Sequence, residues 1–262
     1  MNENFESIDL KEFLLKHWYE KYHNYENFEK TMNNYKNLPI FKANENVFEM
    51  GYKFDDETHF LMRMITQYFI TQAFKAMKID MNDDNIAENF NEENIGTPGR
   101  IAKIWCGKNT EDDSELGSGR WCKPPRLAKF PNIGNKSIPI TKKIDIVSNC
   151  SHHFISFNTI TRPDSKAIIS YIPNEFVLGI SKLQRITNWL SQRFWLQEAL
   201  TDAIYKEVSE AAQTDSVLVA IVDAVHGCEI LRGAKSKNGT FTSMSYGGKF
   251  VDIEIRNIVL NN

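Results

Sequence analysis

The chain has 262 residues, 42% of them hydrophobic and 25% charged, with a formal net charge of -3 at pH 7; that is enough for one substantial core, or one core plus an appended helical segment. Acidic and basic residues are interspersed, so there is no bulk basic field for nucleic acid and any anionic ligand must be held locally. No apolar run approaches the roughly 18 residues a membrane helix needs, and the start Met1-Asn2-Glu3-Asn4-Phe5-Glu6 lacks the basic and apolar regions of a signal peptide; the expectation is a cytoplasmic protein with no membrane partner.

In chain order, Leu10, Phe13, Leu14 and Trp18 recur at helical spacing and give residues 1 to about 55 one predicted helix. From Glu57 to Ile79 the stripe Phe60, Leu61, Met64, Ile65, Phe69, Ala73, Phe74, Met77 predicts a helix packed on one face. Residues 82–94 are acidic and Asn-rich. Gly96-Thr97-Pro98-Gly99 then reads as a helix start, with Thr97 capping and Pro98 in the first turn. Residues 107–135 turn to Gly, Ser, Pro and charge, a long loop of the kind that is functional or disordered. Ile144–Asn149 alternates as a strand, Arg162-Pro163-Asp164-Ser165 has turn chemistry, and Ala167–Ile172 is the returning strand of a hairpin. Helical periodicity runs from Ser181 to about Ala212 with a break near Arg193-Phe194. Val217–Val225 and Thr240–Ser245 follow as two strands, and Val251–Ile255 alternates like a further one. From Ile144 the order is strand, strand, helix, helix, strand, strand.

Two clusters interrupt this pattern, Cys150-Ser151-His152-His153 and His226-Gly227-Cys228. Two thiols and three imidazoles in seven positions are hard to explain by packing, since a buried Cys is ordinarily a small hydrophobe. Zinc takes thiolate and imidazole ligands, and three protein ligands leave a fourth position for water, the arrangement of a catalytic site. Cys150 and His153 supply two ligands and the downstream cluster a third. His226 and Cys228 are two apart, which on a strand puts them on one face, so that one binds metal while the other works beside it. Cys106 and Cys122 read as ordinary thiols.

Six blocks stand in order between Gly96 and Phe250: Thr97-Pro98-Gly99-Arg100-Ile101-Ala102-Lys103, Cys150-Ser151-His152-His153-Phe154, Tyr171-Ile172-Pro173, Gly179-Ile180-Ser181-Lys182-Leu183 with Arg185-Ile186, Leu196-Gln197-Glu198 with Leu200-Thr201, and Asp223-Ala224-Val225-His226-Gly227-Cys228 with Arg232-Gly233 and Thr242-Ser243. In these blocks the sequence resembles the GTP cyclohydrolase I family. The resemblance implies an α+β T-fold, a ββααββ antiparallel sheet with two helices on one face, in residues 96–250. An N-terminal helical extension, 1–95, would precede it and a tail, 251–262, follow. It further implies a homo-oligomeric ring, a decamer of two pentamers with active sites between subunits. The activity implied is conversion of GTP and water to formate and 7,8-dihydroneopterin triphosphate, by attack of a zinc-activated water on guanine C8, ring opening, deformylation and pterin closure.

Carried over position by position, the resemblance makes Cys150, His153 and Cys228 the Zn2+ ligands and His152 and His226 the acid/base groups. Ser181, Lys182, Arg185 and Arg232 would hold the triphosphate and Glu198 the guanine, while Gln197 would touch the ligand or support Glu198. The chemistry suits the roles. Histidine titrates near neutrality; Lys182 and Arg185 share a helical face near a helix start; Arg232 offers a planar fork to phosphate. A carboxylate accepts both the guanine N1–H and its 2-amino group, which adenine cannot offer. Departures stand beside these matches: Ser151 occupies the place of the family's glutamate, Ala199 that of its arginine, and Val251–Ile255 alternates where the family commonly ends in a helix. A divergent cyclohydrolase for another guanine nucleotide and a non-catalytic zinc-stabilised nucleotide-binding ring are the competing readings. Against the last stand the two histidines left over after metal binding.

Overall fold

The computed structural model describes residues 10–87, 96–108, 115–134, 138–232, 234–236 and 238–261. Helices α1 (Leu10–Tyr22), α2 (Phe28–Lys36), α3 (Asp56–Ala76) and α4 (Gly96–Cys106) come first, then strand β1 (Lys129–Pro131). Strands β2 (Ile140–Ile144), β3 (Val147–Cys150), β4 (Ser156–Asn158), β5 (Lys166–Tyr171) and β6 (Phe176–Leu178) follow. The chain ends as α5 (Lys182–Ser191), β7 (Phe194–Trp195), α6 (Gln197–Ala212), β8 (Val217–His226), α7 (Gly227–Leu231), β9 (Phe241–Tyr246) and α8 (Ile253–Leu260). Among the described residues no helix is long and apolar enough to cross a membrane.

The N-terminal region holds two helices where the pattern predicts one. The second, α2, has an Asn- and Lys-rich sequence of weak intrinsic propensity; it forms because Phe28 and Thr31 are buried and Thr31 Oγ1 donates to Glu57 Oε2 on α3 at 3.0 Å. Helix α3 starts where Asp55 accepts the Thr58 N–H at 2.7 Å, with Asp56 and Glu57 in the first turn favourable to the dipole. Leu14 and Trp18 of α1, Phe28 of α2, and Leu61 and Met64 of α3 form one apolar cluster. A second joins Val47, Phe54 and Met62 to Cys106 and Trp121. Thr97 does not cap α4: the helix already includes Gly96, and the Thr97 hydroxyl donates to the Asn85 carbonyl at 3.1 Å.

Four strands make the central antiparallel ladder in the order β2, β5, β8, β9, and a lateral extension of β4, β3 and β7 joins it at the C-terminal end of β8. β8 pairs β5 from Val217 to Val222 and β4 at Val225 and His226, with β9 on its other edge. Alternation sorts the side chains. Ala167, Ile169, Tyr171, Val217, Val219 and Ile221 face Ile186 of α5 and Leu200, Ile204 and Val208 of α6, forming the main core. Ile168, Leu218 and Ala220 face the other way, against Phe250 and Val259.

That second layer corrects the expected strand at Val251–Ile255. Asp252 Oδ1 accepts the Glu254 N–H at 2.8 Å and starts α8, whose Ile255 and Val259, one turn apart, cover the reverse face of the sheet. The expected hairpin strand 144–149 is also divided. Ile144 still pairs Ala167 in β5, but Val147 pairs Asn158 in β4, and at the crossing Ile146 exchanges backbone and hydroxyl hydrogen bonds with Thr159, both at 2.9 Å. Cys150–Ile155 thereby becomes the turn between β3 and β4. Residues 107–135 are not structureless where described. They contain a 3-10 turn at Ser118–Arg120 and β1, which pairs β6. Residues 109–114 and 135 of that loop, and residues 88–95 around the end of the acidic stretch, lie outside the described residues.

Candidate active site

The turn after β3 is held from both sides. Cys150 N–H donates to Ile155 O and Phe154 N–H to Cys150 O, at 3.0 and 2.9 Å, while Ser151 N–H donates to Trp195 O of β7 at 3.0 Å. Phe154 sits at positive φ, 55°, and its ring lies 4.5 Å from that of Phe194. Gly227 lies so close to this turn that a Cβ there would be 2.6 Å from the Ile155 side chain, which is why a glycine stands between His226 and Cys228. The two sequence clusters therefore meet. Cys228 is not on the strand, however: β8 ends at His226, and Cys228 is in the short helix α7.

His226 reaches the helix side of the sheet through a β-bulge. The β8–β9 register shifts between Ile221 and Ala224, and Asp223 adopts φ 54°. Its N–H donates to Thr242 Oγ1 at 3.0 Å, its carbonyl accepts Ser165 Oγ at 2.6 Å, and its carboxylate accepts Thr240 Oγ1 at 3.0 Å. One extra residue resets the alternation, so Ala224 returns to the main core and His226, two further on, lies on the same side. There it stacks on Phe157 with centroids 4.9 Å apart and meets the edge of Phe241.

Its Nε2 lies 2.7 Å from Gln197 Oε1. Gln197 is buried, and its amide NH2 faces the Ile221 and Phe241 carbonyls and Ser243 Oγ at 3.4, 3.1 and 3.0 Å. Carbonyls only accept, so the amide oxygen must face His226, and His226 Nε2 must carry a proton. Burial pushes the His226 pKa below its usual value, against the opposing pull of Glu198 and Glu229. The ring is thus neutral, with Nδ1 as its basic nitrogen. Thr201, one turn along α6, completes the network through Ser243 at 2.7 Å. Glu198 is exposed on the adjoining turn, and Ala199 packs partly buried against the main core.

His152 is exposed, its ring 4.7 Å from that of His153. Arg232 Nη1 lies 2.7 Å from His153 Nε2. A guanidinium only donates, so Nε2 accepts and Nδ1 bears the hydrogen; that Nδ1 is buried and makes no hydrogen bond. Desolvation, then Arg232 and His152, lower the His153 pKa. The cysteines form no disulfide. Among the described residues no three His, Cys, Asp or Glu side chains are arranged to hold a metal ion. Cys150, His153 and Cys228 share a neighbourhood, with Arg232 on one of the donor atoms. Gly233 lies outside the described residues.

Ser181, Lys182 and Arg185 are elsewhere. Ser181 is the residue before α5, exposed and with no side-chain cap; Lys182 is half-buried and Arg185 exposed. Helix α5 begins beside the ribbon of β1 and β6, where Gly179 N–H donates to Ala128 O at 3.0 Å and Lys142 Nζ to Ile180 O at 3.3 Å. Lys142 is on β2, whose Ile140 pairs Tyr171, and Tyr171 pairs Val217. Lys142 itself pairs Ile169, which pairs Val219, so this contact lies toward the opposite end of β8 from His226, seven residues or about 23 Å along the strand at roughly 3.3 Å per residue.

Sequence reasoning missed the shell around His226. The signal was available in part, as Thr201 is four residues from Gln197 and Ser243 stands on an alternating strand; the stacking of Phe157 requires β4, which has no pattern of its own.

The geometry defines an α+β protein with thiol, imidazole and amide groups gathered at the end of its longest strand. A family model described as GTP cyclohydrolase I matches residues 70–262. The chain is 32% identical to GTP cyclohydrolase 1 of Enterobacter sp. (strain 638) over 198 residues, 75% of this chain and 78% of that protein. It is 33% identical to GTP cyclohydrolase 1 of Serratia proteamaculans (strain 568) over 183 residues, 69% and 73% of the two, and 32% identical to that of Klebsiella pneumoniae subsp. pneumoniae over 198 residues, 75% and 78%. The chain belongs to the GTP cyclohydrolase I family.

Proposed function

We propose that this chain is a zinc-dependent GTP cyclohydrolase I, converting GTP and water to formate and 7,8-dihydroneopterin triphosphate in the cytoplasm. The observation that carries the reading is the meeting of the Cys150–His153 turn with His226 at the end of β8, where a buried amide fixes Nε2 of the imidazole as a donor and leaves Nδ1 to exchange protons. The donor set suits zinc: two thiols outside any disulfide, and an imidazole whose Nε2 lone pair is met only by the Arg232 guanidinium. Cys150, His153 and Cys228 would hold the ion, once Arg232 leaves His153 for substrate. Bound zinc would supply a water acidified toward neutrality.

The chain's own groups do the rest. His226 Nδ1 accepts or returns a proton at the guanine ring, and exposed His152 serves as a second proton carrier. Glu198 accepts the guanine N1–H and 2-amino group. Arg232, Ser181, Lys182 and Arg185 take the triphosphate, but the last three are too far from His226 to serve the same nucleotide within one chain. The site is therefore completed by a second copy. Among the described residues β2 and β9 each pair on one edge only, so a homo-oligomer that joins β9 of one copy to β2 of the next brings strand ends together; the decamer of two five-membered rings is this assembly. Residues 96–250 form the catalytic unit, 1–95 an extension and 251–262 a tail.

The test is formate release from GTP by purified protein of measured zinc content. Wild type should bind about one zinc per chain, and Cys228→Ala should lose zinc and turnover together. Zinc-loaded protein that binds GTP and releases no formate would leave only a binding role.

A further inference from the structure

The family match begins at residue 70, yet the loop between α2 and α3, well before it, is fastened to the strand that supports the Cys150 turn. Arg193, 3% exposed, sends Nη1 to Glu49 Oε2 at 2.9 Å and to Asn44 O at 3.2 Å, and its guanidinium lies 4.0 Å from the Trp189 ring. Its Nε and Nη2 are buried and make no hydrogen bond. Next to it Phe194 N–H donates to Ala43 O at 3.4 Å, and Asn46 Nδ2, fully buried, donates to Gly119 O and Cys122 O at 2.7 and 2.8 Å. From the other side, the backbone of the same short stretch carries the candidate site. Arg193 O accepts Ser148 Oγ at 3.3 Å, Asn149 and Cys150 pair with Phe194 and Trp195, and Trp195 O accepts the Ser151 N–H.

We propose that residues 42–49 are a positioning element for the Cys150–Phe154 turn, acting through the Glu49–Arg193 ion pair, and that Arg193 is a positioning residue rather than a packing one. Burial disfavours the Arg193 cation and the Glu49 carboxylate offsets it. Removing Glu49 leaves a buried guanidinium with one carbonyl partner, and Arg193 must shift, drawing β7 and the turn with it. A displacement of about 1 Å at reacting groups is enough to cost large factors in rate. Trp189, on which the guanidinium stacks, is near the C-terminal end of α5, whereas Ser181 and Lys182 stand at its start, which should stay as it is.

Glu49 is itself partly exposed, its side chain 39% accessible, so Glu49→Ala and Glu49→Gln should fold. The kinetic part of the test rests on the proposed cyclohydrolase activity: kcat for formate release should fall on the order of tenfold in Glu49→Ala, with KM for GTP changed by less than about twofold and Glu49→Asp recovering part of the loss. The second readout does not need that activity. Amide hydrogen exchange at Ser151 and Phe154 should accelerate by about tenfold in Glu49→Ala while β5 and β8 exchange as in wild type. Unchanged exchange in the turn, or acceleration spread equally over β5 and β8, overturns the proposal. A wild-type protein that makes no formate defeats the functional reading and leaves the exchange result to judge the positioning element.

Discussion

His226 and Gln197 are joined at 2.7 Å, imidazole Nε2 to amide oxygen, and the amide nitrogen on the other side is committed to Ile221 O, Phe241 O and Ser243 Oγ. The pair therefore fixes a tautomer, because the amide cannot turn round without setting its NH2 against the His226 N–H and its oxygen against two carbonyls. Gln197 binds to the catalytic candidate itself from a buried position.

Three substitutions separate these roles. His226→Ala should preserve fold and GTP affinity while turnover falls on the order of 10²-fold or more, and His152→Ala should behave similarly. Gln197→Ala should lower turnover too, and also stability, by about 1–3 kcal/mol, since it strands buried polar partners. Single-turnover kinetics with urea unfolding measure both; a Gln197→Ala protein of wild-type stability would contradict the network.

The separation of Lys182 from His226 makes a prediction about assembly. Lys182→Ala should weaken GTP binding on the order of tenfold while leaving guanosine affinity nearly unchanged, as one charge-assisted contact is lost. At GTP well below the KM of Lys182→Ala, co-assembling Lys182→Ala chains with His226→Ala chains should give more turnover than the two separate assemblies together, because some interfaces then combine two intact halves. Mixed assemblies with no recovered activity would mean that each chain serves its own nucleotide.

Phe250 is fully buried between the sheet and α8. Phe250→Ala should cost about 3–5 kcal/mol from lost burial and the cavity left behind, read as a lowered unfolding midpoint. A cost below 1 kcal/mol would show that α8 does not depend on it.

Glu207 offers a pH signature. Burial, then the Glu49 and Glu210 carboxylates, raise its pKa above 4.5, with Arg193 opposing. The folded chain thus binds this proton more tightly than the unfolded one, so the contribution is favourable below about pH 4.5 and is lost as pH rises through the folded-state value. Glu207→Gln should accordingly stabilise the protein at pH 7, by on the order of 0.5 kcal/mol, and the gain should vanish below pH 4.5. Thermal midpoints across pH 4–8 decide it.

Local pattern and residue chemistry carry a defined part of this structure. The apolar stripe of α3, the break at Arg193-Phe194 between α5 and α6, the β-branched run of β8 and the two Cys/His clusters are each written in contiguous residues. Tertiary structure decided the remainder. Helix α2 forms against α3 despite a weak sequence, and α8 takes a helical form because Asp252 caps it and the reverse face of the sheet needs cover, although five alternating residues mimic a strand. Above all, the face on which His226 lies depends on the bulge at Asp223. Strict alternation from Val217 would have turned His226 away from Gln197, and nothing within β8 alone marks the extra residue. It is fixed by Thr242, Thr240 and Ser165, which satisfy the Asp223 backbone and carboxylate from neighbouring segments. Hydrogen bonds between residues distant in sequence leave no periodicity to read.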